Sequence, residues 1–253
     1  MYDLQKANSF KRISAFLFDI IIFAIVAVGC ALLITSVAGY DEKLERYQAH
    51  YERYETEYGI DLDLTKEEYN TLSEAEKAKY DEADRAFRED ERVYLDYRLI
   101  FNITLVAISL GILLAFLVLE FAIPIFLRNG QTLGKKIFGI GVMRVDGVRV
   151  TPVVLFIRSI LGKYTIETMV PIFIIMQLIF GSLGTVGLGV LLLIVILEAG
   201  CVIGTNTNSM IHDLLSQTVT VDMASQMIFD SQEEMIAYKK RLHAELAERA
   251  EYK

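Results

Sequence analysis

The chain has 253 residues, 53% of them hydrophobic, and carries a formal net charge of −8 at pH 7. Its apolar residues are collected into long uncharged runs, which excludes an ordinary soluble domain and marks a membrane protein. Two cysteines, Cys30 and Cys201, stand far apart in apolar runs, so neither a disulfide framework nor a metal-ligand spacing is present. No metal, no cofactor and no nucleic-acid partner is expected.

In chain order, the spacing predicts four membrane spans: Ile13–Ala38, Leu99–Leu127, Thr165–Ser182 and Thr185–Gly204. The first exceeds the roughly 20 residues needed to cross a bilayer core. It is too long for a cleaved signal peptide and has no small-x-small site after it. Glycines 181, 184 and 187 separate the last two, so one long broken span is the alternative. Residues 1–12 and the segment Arg128 to Lys163 are basic, which places both in the cytosol by the positive-inside rule. The segment Asp41 to Arg98 carries nineteen acids and ten bases and belongs outside.

The expected organisation is a cytosolic start and first span over 1–38, an acidic coiled-coil hairpin over 39–98, a second span over 99–127, a basic loop over 128–164, two spans over 165–204, and a cytosolic tail over 205–253. The fold class is therefore an all-α membrane protein: a four-span helical bundle with an extracytoplasmic helical hairpin and a small cytosolic β-hairpin. In the outer segment Tyr40, Tyr47, Tyr51, Tyr54 and Tyr58 share one helix face. Thr65-x-x-Glu68 and Ser73-x-x-Glu76 are capping boxes that start a second helix. In the basic loop Asp146-Gly147 joins two short alternating runs as a hairpin turn, and Thr218 to Val221 can add a strand. Ser231-x-x-Glu234 opens a charged helix in the tail.

Four acids lie inside the expected spans: Asp19, Glu120, Glu167 and Glu198. At 1.5 Å of rise per residue Asp19, Glu120 and Glu198 lie about 9–10 Å from the cytosolic ends. A carboxylate at such depth is costly and needs a companion. One reading makes Asp19, Glu120 and Glu198 an ion- or solute-binding vestibule. The other pairs the acids with Arg12, Arg128, Arg158 and Lys163 and leaves them structural. Arg12 sits about 10 Å along the helix from Asp19, so Arg158 is the expected partner of Asp19. Gly130-Gln131-Thr132-Leu133-Gly134-Lys135-Lys136 lacks the pattern of a phosphate loop, and the adjacent His212-Asp213 marks no nucleophile. The protein is not expected to be an enzyme.

Three separated motifs carry a resemblance. They are Arg12-Ile-Ser-Ala-Phe-Leu-Phe-Asp19-Ile, then Gly130-Gln-Thr-Leu-Gly134-Lys135-Lys136-Ile-Phe-Gly139 with Asp146-Gly147, then His212-Asp213-Leu-Leu-Ser-Gln-Thr218-Val. Together they resemble the RDD family of bacterial integral membrane proteins, named for one arginine and two aspartates, which map to Arg12, Asp19 and Asp213. The motif positions taken over are Arg12, Asp19, Gly134, Lys135, Gly139 and Asp213. The acidic hairpin departs from the short connection usual in the family. The resemblance implies a multi-pass protein of the bacterial cytoplasmic membrane with both termini in the cytosol. It also implies either transport of ions or small solutes, or modulation of another membrane protein. A carrier with so few spans is expected to be a homo-oligomer. An adaptor would grip a membrane or extracytoplasmic partner through 41–98. A third possibility is a lipid-headgroup binder using Lys135, Lys136, Arg144 and Arg149.

Overall fold

The computed structural model describes residues 4–171, 173 and 184–251. It is mostly helical, with one two-stranded antiparallel sheet. The chain divides into two units, Met1–Val28 with Ile112–Lys253, and Gly29–Gly111. Two helices among the described residues are long and apolar enough to cross a membrane: α1, Ser9–Val37, and α5, Glu91–Phe126. The second helix begins at Glu91, eight residues before the expected span, and its acidic first turn leads into the apolar run. Within it, Phe116–Ala122 is π-helical.

In the unit Gly29–Gly111, α2 (Tyr40–Tyr58) lies between Gly39 and Gly59, both left-handed. Helices α3 (Lys66–Thr71) and α4 (Glu74–Glu89) each begin at a complete capping box, on Thr65 and Ser73. The side-chain oxygen of each takes a backbone N–H that the first turn would otherwise leave unpaired. Leu62, Ala83, Phe87 and Val93 form the core of this unit. Tyr47, Tyr51, Tyr54 and Tyr58 pack on it, as their shared helix face requires. Arg53 pairs with Asp90 at 2.6 Å and Arg46 with Asp96 at 2.9 Å, tying α2 to the chain that follows α4.

In the other unit, α1 and the end of α5 are followed in chain order by α6 (Leu133–Ile137), β1 (Ile140–Arg144), helix α7 (residues 152–167), α8 (Gly184–Gly204), α9 (Ile211–Leu215), β2 (Thr218–Asp222) and α10 (Gln232–Glu251). Helix α7 is α-helical over Pro152–Phe156 and π-helical over Ile157–Glu167. The expected third span, Thr165–Ser182, lies largely outside the described residues; its first residues, Thr165 to Glu167, close α7.

The expected β-hairpin is corrected. Asp146-Gly147 does turn the chain, with Gly147 N–H donating to the Arg144 carbonyl at 2.9 Å. The return strand, however, makes only the bridge Met143↔Arg149. The ladder runs between β1 and β2, antiparallel, from Ile140↔Asp222 to Arg144↔Thr218. Thr218 to Asp222 wins because both strands are buried on both faces, so each must find a partner that fills its edge. Met143, Val219 and Val221 pack with Leu4 and Ile228, while Val142 packs with Val150, Leu155, Phe121 and Ile125. The mostly helical class with one small sheet holds, with the sheet built from β1 and β2.

Two glycines set close contacts. A Cβ on Gly134 would lie 2.4 Å from the Ala15 carbonyl oxygen, so α6 can sit against α1 only with glycine there. On Gly162 it would lie 2.7 Å from the His212 Cβ, where α7 meets α9. Gly189, in α8, has nothing within 4 Å. Thermal unfolding of the purified full chain is expected to show Gly134→Ala and Gly162→Ala each destabilised by about 1–3 kcal/mol through overpacking. Gly189→Ala should be neutral or stabilising by up to about 1 kcal/mol.

Candidate functional site

Asp19 lies six residues into the apolar run of α1 and meets the start of α6. Its Oδ1 accepts the Gly134 N–H at 2.7 Å and its Oδ2 accepts the Thr132 hydroxyl at 2.5 Å. Thr132 in turn accepts the Lys135 N–H at 3.3 Å as the N-cap of α6. The aspartate thus takes up N–H and O–H donors at a helix start, where a negative charge is favoured. Arg158 is not its partner, and that expectation is corrected. The Arg158 guanidinium donates to Asp213, and to Thr218 at 2.5 Å. The reason is local: α7 and α9 pack through Gly162 and His212, which brings Arg158 and Asp213 together.

Asp213 is 1% exposed. Burial alone would push its carboxyl up. The Arg158 charge, with Arg12 adding to it, overcomes this and holds the carboxyl well below its ordinary range. Arg12 stands 3.9 Å from the second Asp213 oxygen. Two of the three name residues of the motif therefore meet each other, and the third, Asp19, serves α6.

Glu120, on the π-helical turn of α5, pairs with Lys163 of α7 at 2.6 Å. Glu167 accepts both the His212 N–H at 2.7 Å and the His212 ring at 2.6 Å. Burial first, and then the Arg158 charge, bring His212 down to about 4, so it is neutral at pH 7 and Nδ1 carries the donated proton. Glu198 accepts the Ile211 N–H at 3.3 Å, and its other oxygen is buried without a hydrogen-bond partner among the described residues.

A cavity of about 260 Å³ gathers much of this set. Asp19, Glu120, Asp213, Arg12, Lys135, Arg158 and Lys163 line it, with His212 and apolar walls from Ile13, Phe16, Val202 and Met210. Of the three acids read as one site, Asp19 and Glu120 line the cavity; Glu198 does not, because it serves the backbone at the start of α9. Gly139 lies outside as well, in a left-handed turn between α6 and β1 with φ 67°. Lys135, named above only as a motif residue and a headgroup contact, points its amine into the cavity. Burial first, then the Lys163 charge, bring that amine down to about 8 against the pull of Glu120 and Asp19. Its signal in the sequence was its place one residue after Gly134, in the first turn capped by Thr132. The adjacent His212-Asp213 pair marks no nucleophile in the sequence, and the carboxylate partner of His212, Glu167, lies 45 residues away along the chain. No group of three or more His, Cys, Asp or Glu among the described residues is placed to hold a metal ion.

Two apolar helices of spanning length among the described residues, with a small sheet, fit a helical membrane protein. The model of the RDD family matches residues 6–217, most of the chain, and the protein belongs to that family. No curated protein and no solved structure matches it.

The His212 environment generates a pH dependence. The unfolded chain takes up the histidine proton near 6.5, whereas the folded one resists to about 4. Stability is therefore complete above about 6.5 and falls as the pH drops towards 4, by about 3 kcal/mol. A thermal-unfolding series from pH 8 to 4 should show this decline. It should be shallower in His212→Gln, which has no ring proton to gain.

Proposed function

We propose that the chain is a multi-pass transporter of the bacterial cytoplasmic membrane, with both termini cytosolic, carrying a small ion or solute through the charged cavity. The observation that supports this reading is the cavity itself. Ionic side chains from α1, α5, α6, α7 and α9 line one space of about 260 Å³. Charges sequestered at that cost mark a functional site more often than a packing device. Asp19 and Glu120 remain the carboxylates of the site, each already engaged by donors. A bare cation would have to displace the Lys163 amine from Glu120. The exchangeable element is thus the Glu120–Lys163 pair with Lys135 beside it, rather than free carboxylates. Four spans, or fewer, favour a homo-oligomer as the working form. We propose no catalytic role.

A second reading keeps a specific observation. The unit Gly29–Gly111 has its own core and leaves Tyr94 and Tyr97 more than half exposed. That surface suits an adaptor gripping an extracytoplasmic partner.

The full chain reconstituted in liposomes with an internal pH dye separates the two. Gradients of Na⁺, K⁺ and a small organic anion are imposed in turn. At least one should drive protein-dependent flux that drops about tenfold or more in Glu120→Gln, which strands the Lys163 charge. The same flux should survive replacement of residues 41–98 by a short linker. No protein-dependent flux under any of these gradients contradicts transport.

A further inference from the structure

Four cationic side chains, Arg12, Lys135, Arg158 and Lys163, line the cavity against three carboxylates, Asp19, Glu120 and Asp213. Each carboxylate is engaged: Asp213 by the two arginines, Glu120 by Lys163, and Asp19 by Thr132 and Gly134. His212 is neutral and spent on Glu167. The Lys135 amine is left over. Among the described residues it makes no hydrogen bond and no close ion pair. An ammonium group held in such a space without a counter-ion is unfavourable, and a buried cation ordinarily has a partner. Over the lining side chains the formal charge is one positive, four cations against three carboxylates, so the space has room for one more negative charge.

Size and lining narrow the class. At about 260 Å³ the cavity is larger than a bare oxyanion alone would fill. Its remaining wall is apolar: Ile13 and Phe16 from α1, Val202 from α8, and Met210. Ile13 and Phe16 are also more than half exposed along a helix of membrane-spanning length. An apolar path therefore leads from the cavity along α1.

We infer that the cavity is a binding site for a phosphate-headed amphiphile, whose head pairs with Lys135 and whose alkyl chain lies against Ile13 and Phe16. This rests on the cavity being a ligand site, and names its ligand class. Lys135 has Asp19 of α1, Glu120 of α5, and Arg158 and Lys163 of α7 about it. Anion binding therefore weakens as the pH climbs through about 8 and the Lys135 charge is lost.

The test is equilibrium binding to the full chain in phosphatidylcholine nanodiscs, with hexyl phosphate and inorganic phosphate as probes. Hexyl phosphate should bind the unaltered chain about tenfold or more tightly than inorganic phosphate. Lys135→Gln should lose that binding, Lys135→Arg should keep it, and Lys136→Gln, altered at an exposed neighbour, should be unaffected. A second arm adds phosphatidylglycerol to the nanodisc. Weakened hexyl phosphate binding there identifies a membrane lipid as the occupant, and unchanged binding identifies a soluble amphiphile. Failure of hexyl phosphate to bind, equal binding of inorganic phosphate, or full binding by Lys135→Gln overturns the inference. Binding without flux in liposomes leaves the site standing and removes the carrier; flux without binding does the reverse.

Discussion

The Arg158 guanidinium and the Asp213 carboxylate are both nearly without solvent, at 4% and 1% exposure. Neither charge is tolerable there alone, since stranding one partner of a buried pair costs about 3–5 kcal/mol. Their meeting obliges α7, α9 and the first residue of β2 to adopt one arrangement. Arg158 also reaches the Thr218 hydroxyl, and Thr218 donates to Asp213 at 3.1 Å. Because β2 is the ladder partner of β1, the same contact holds the register of the sheet. Arg12 brings α1 to Asp213 from another side. One buried charge cluster thus joins the beginning of the chain, its middle and its end.

Asp19 performs a separate task on the same helix. By capping α6 it holds Thr132, Gly134 and the backbone of Lys135 against α1. The glycine is required because the Ala15 carbonyl occupies the place of a Cβ. That position in turn aims Lys135 at the cavity. The family motifs read as separate signatures are, in three dimensions, one device. Arg12 and Asp213 fix the frame, and Asp19 with Gly134 sets the lysine within it.

What was legible in the sequence was what local pattern encodes. The apolar length of α1, the tyrosine face of α2 and the capping boxes at Thr65 and Ser73 all follow from spacings of a few residues. The Asp146-Gly147 turn was legible too, but its strand pairing was not, because β1 chose a partner more than seventy residues away. The same holds at the site. Asp19 was marked by the cost of its burial, yet its partners lie 113 and 115 residues on, and Arg158 and Asp213 are 55 apart. Charge accounting identifies groups that need companions and is blind to which companion the fold delivers. The π-helical turns of α5 and α7 leave no mark in an apolar period either. They rotate Glu120 and Lys163 in segments that read as plain helix.

The most direct measurement of the central claim is a double-mutant cycle on Arg158 and Asp213, read by thermal unfolding of the purified full chain. Arg158→Met and Asp213→Leu should each destabilise by about 3–5 kcal/mol, and the double variant should recover much of that loss, since it strands neither member of the pair. Single variants that cost no more than an exposed pair, about 1 kcal/mol or less, with additive effects in the double, would contradict it.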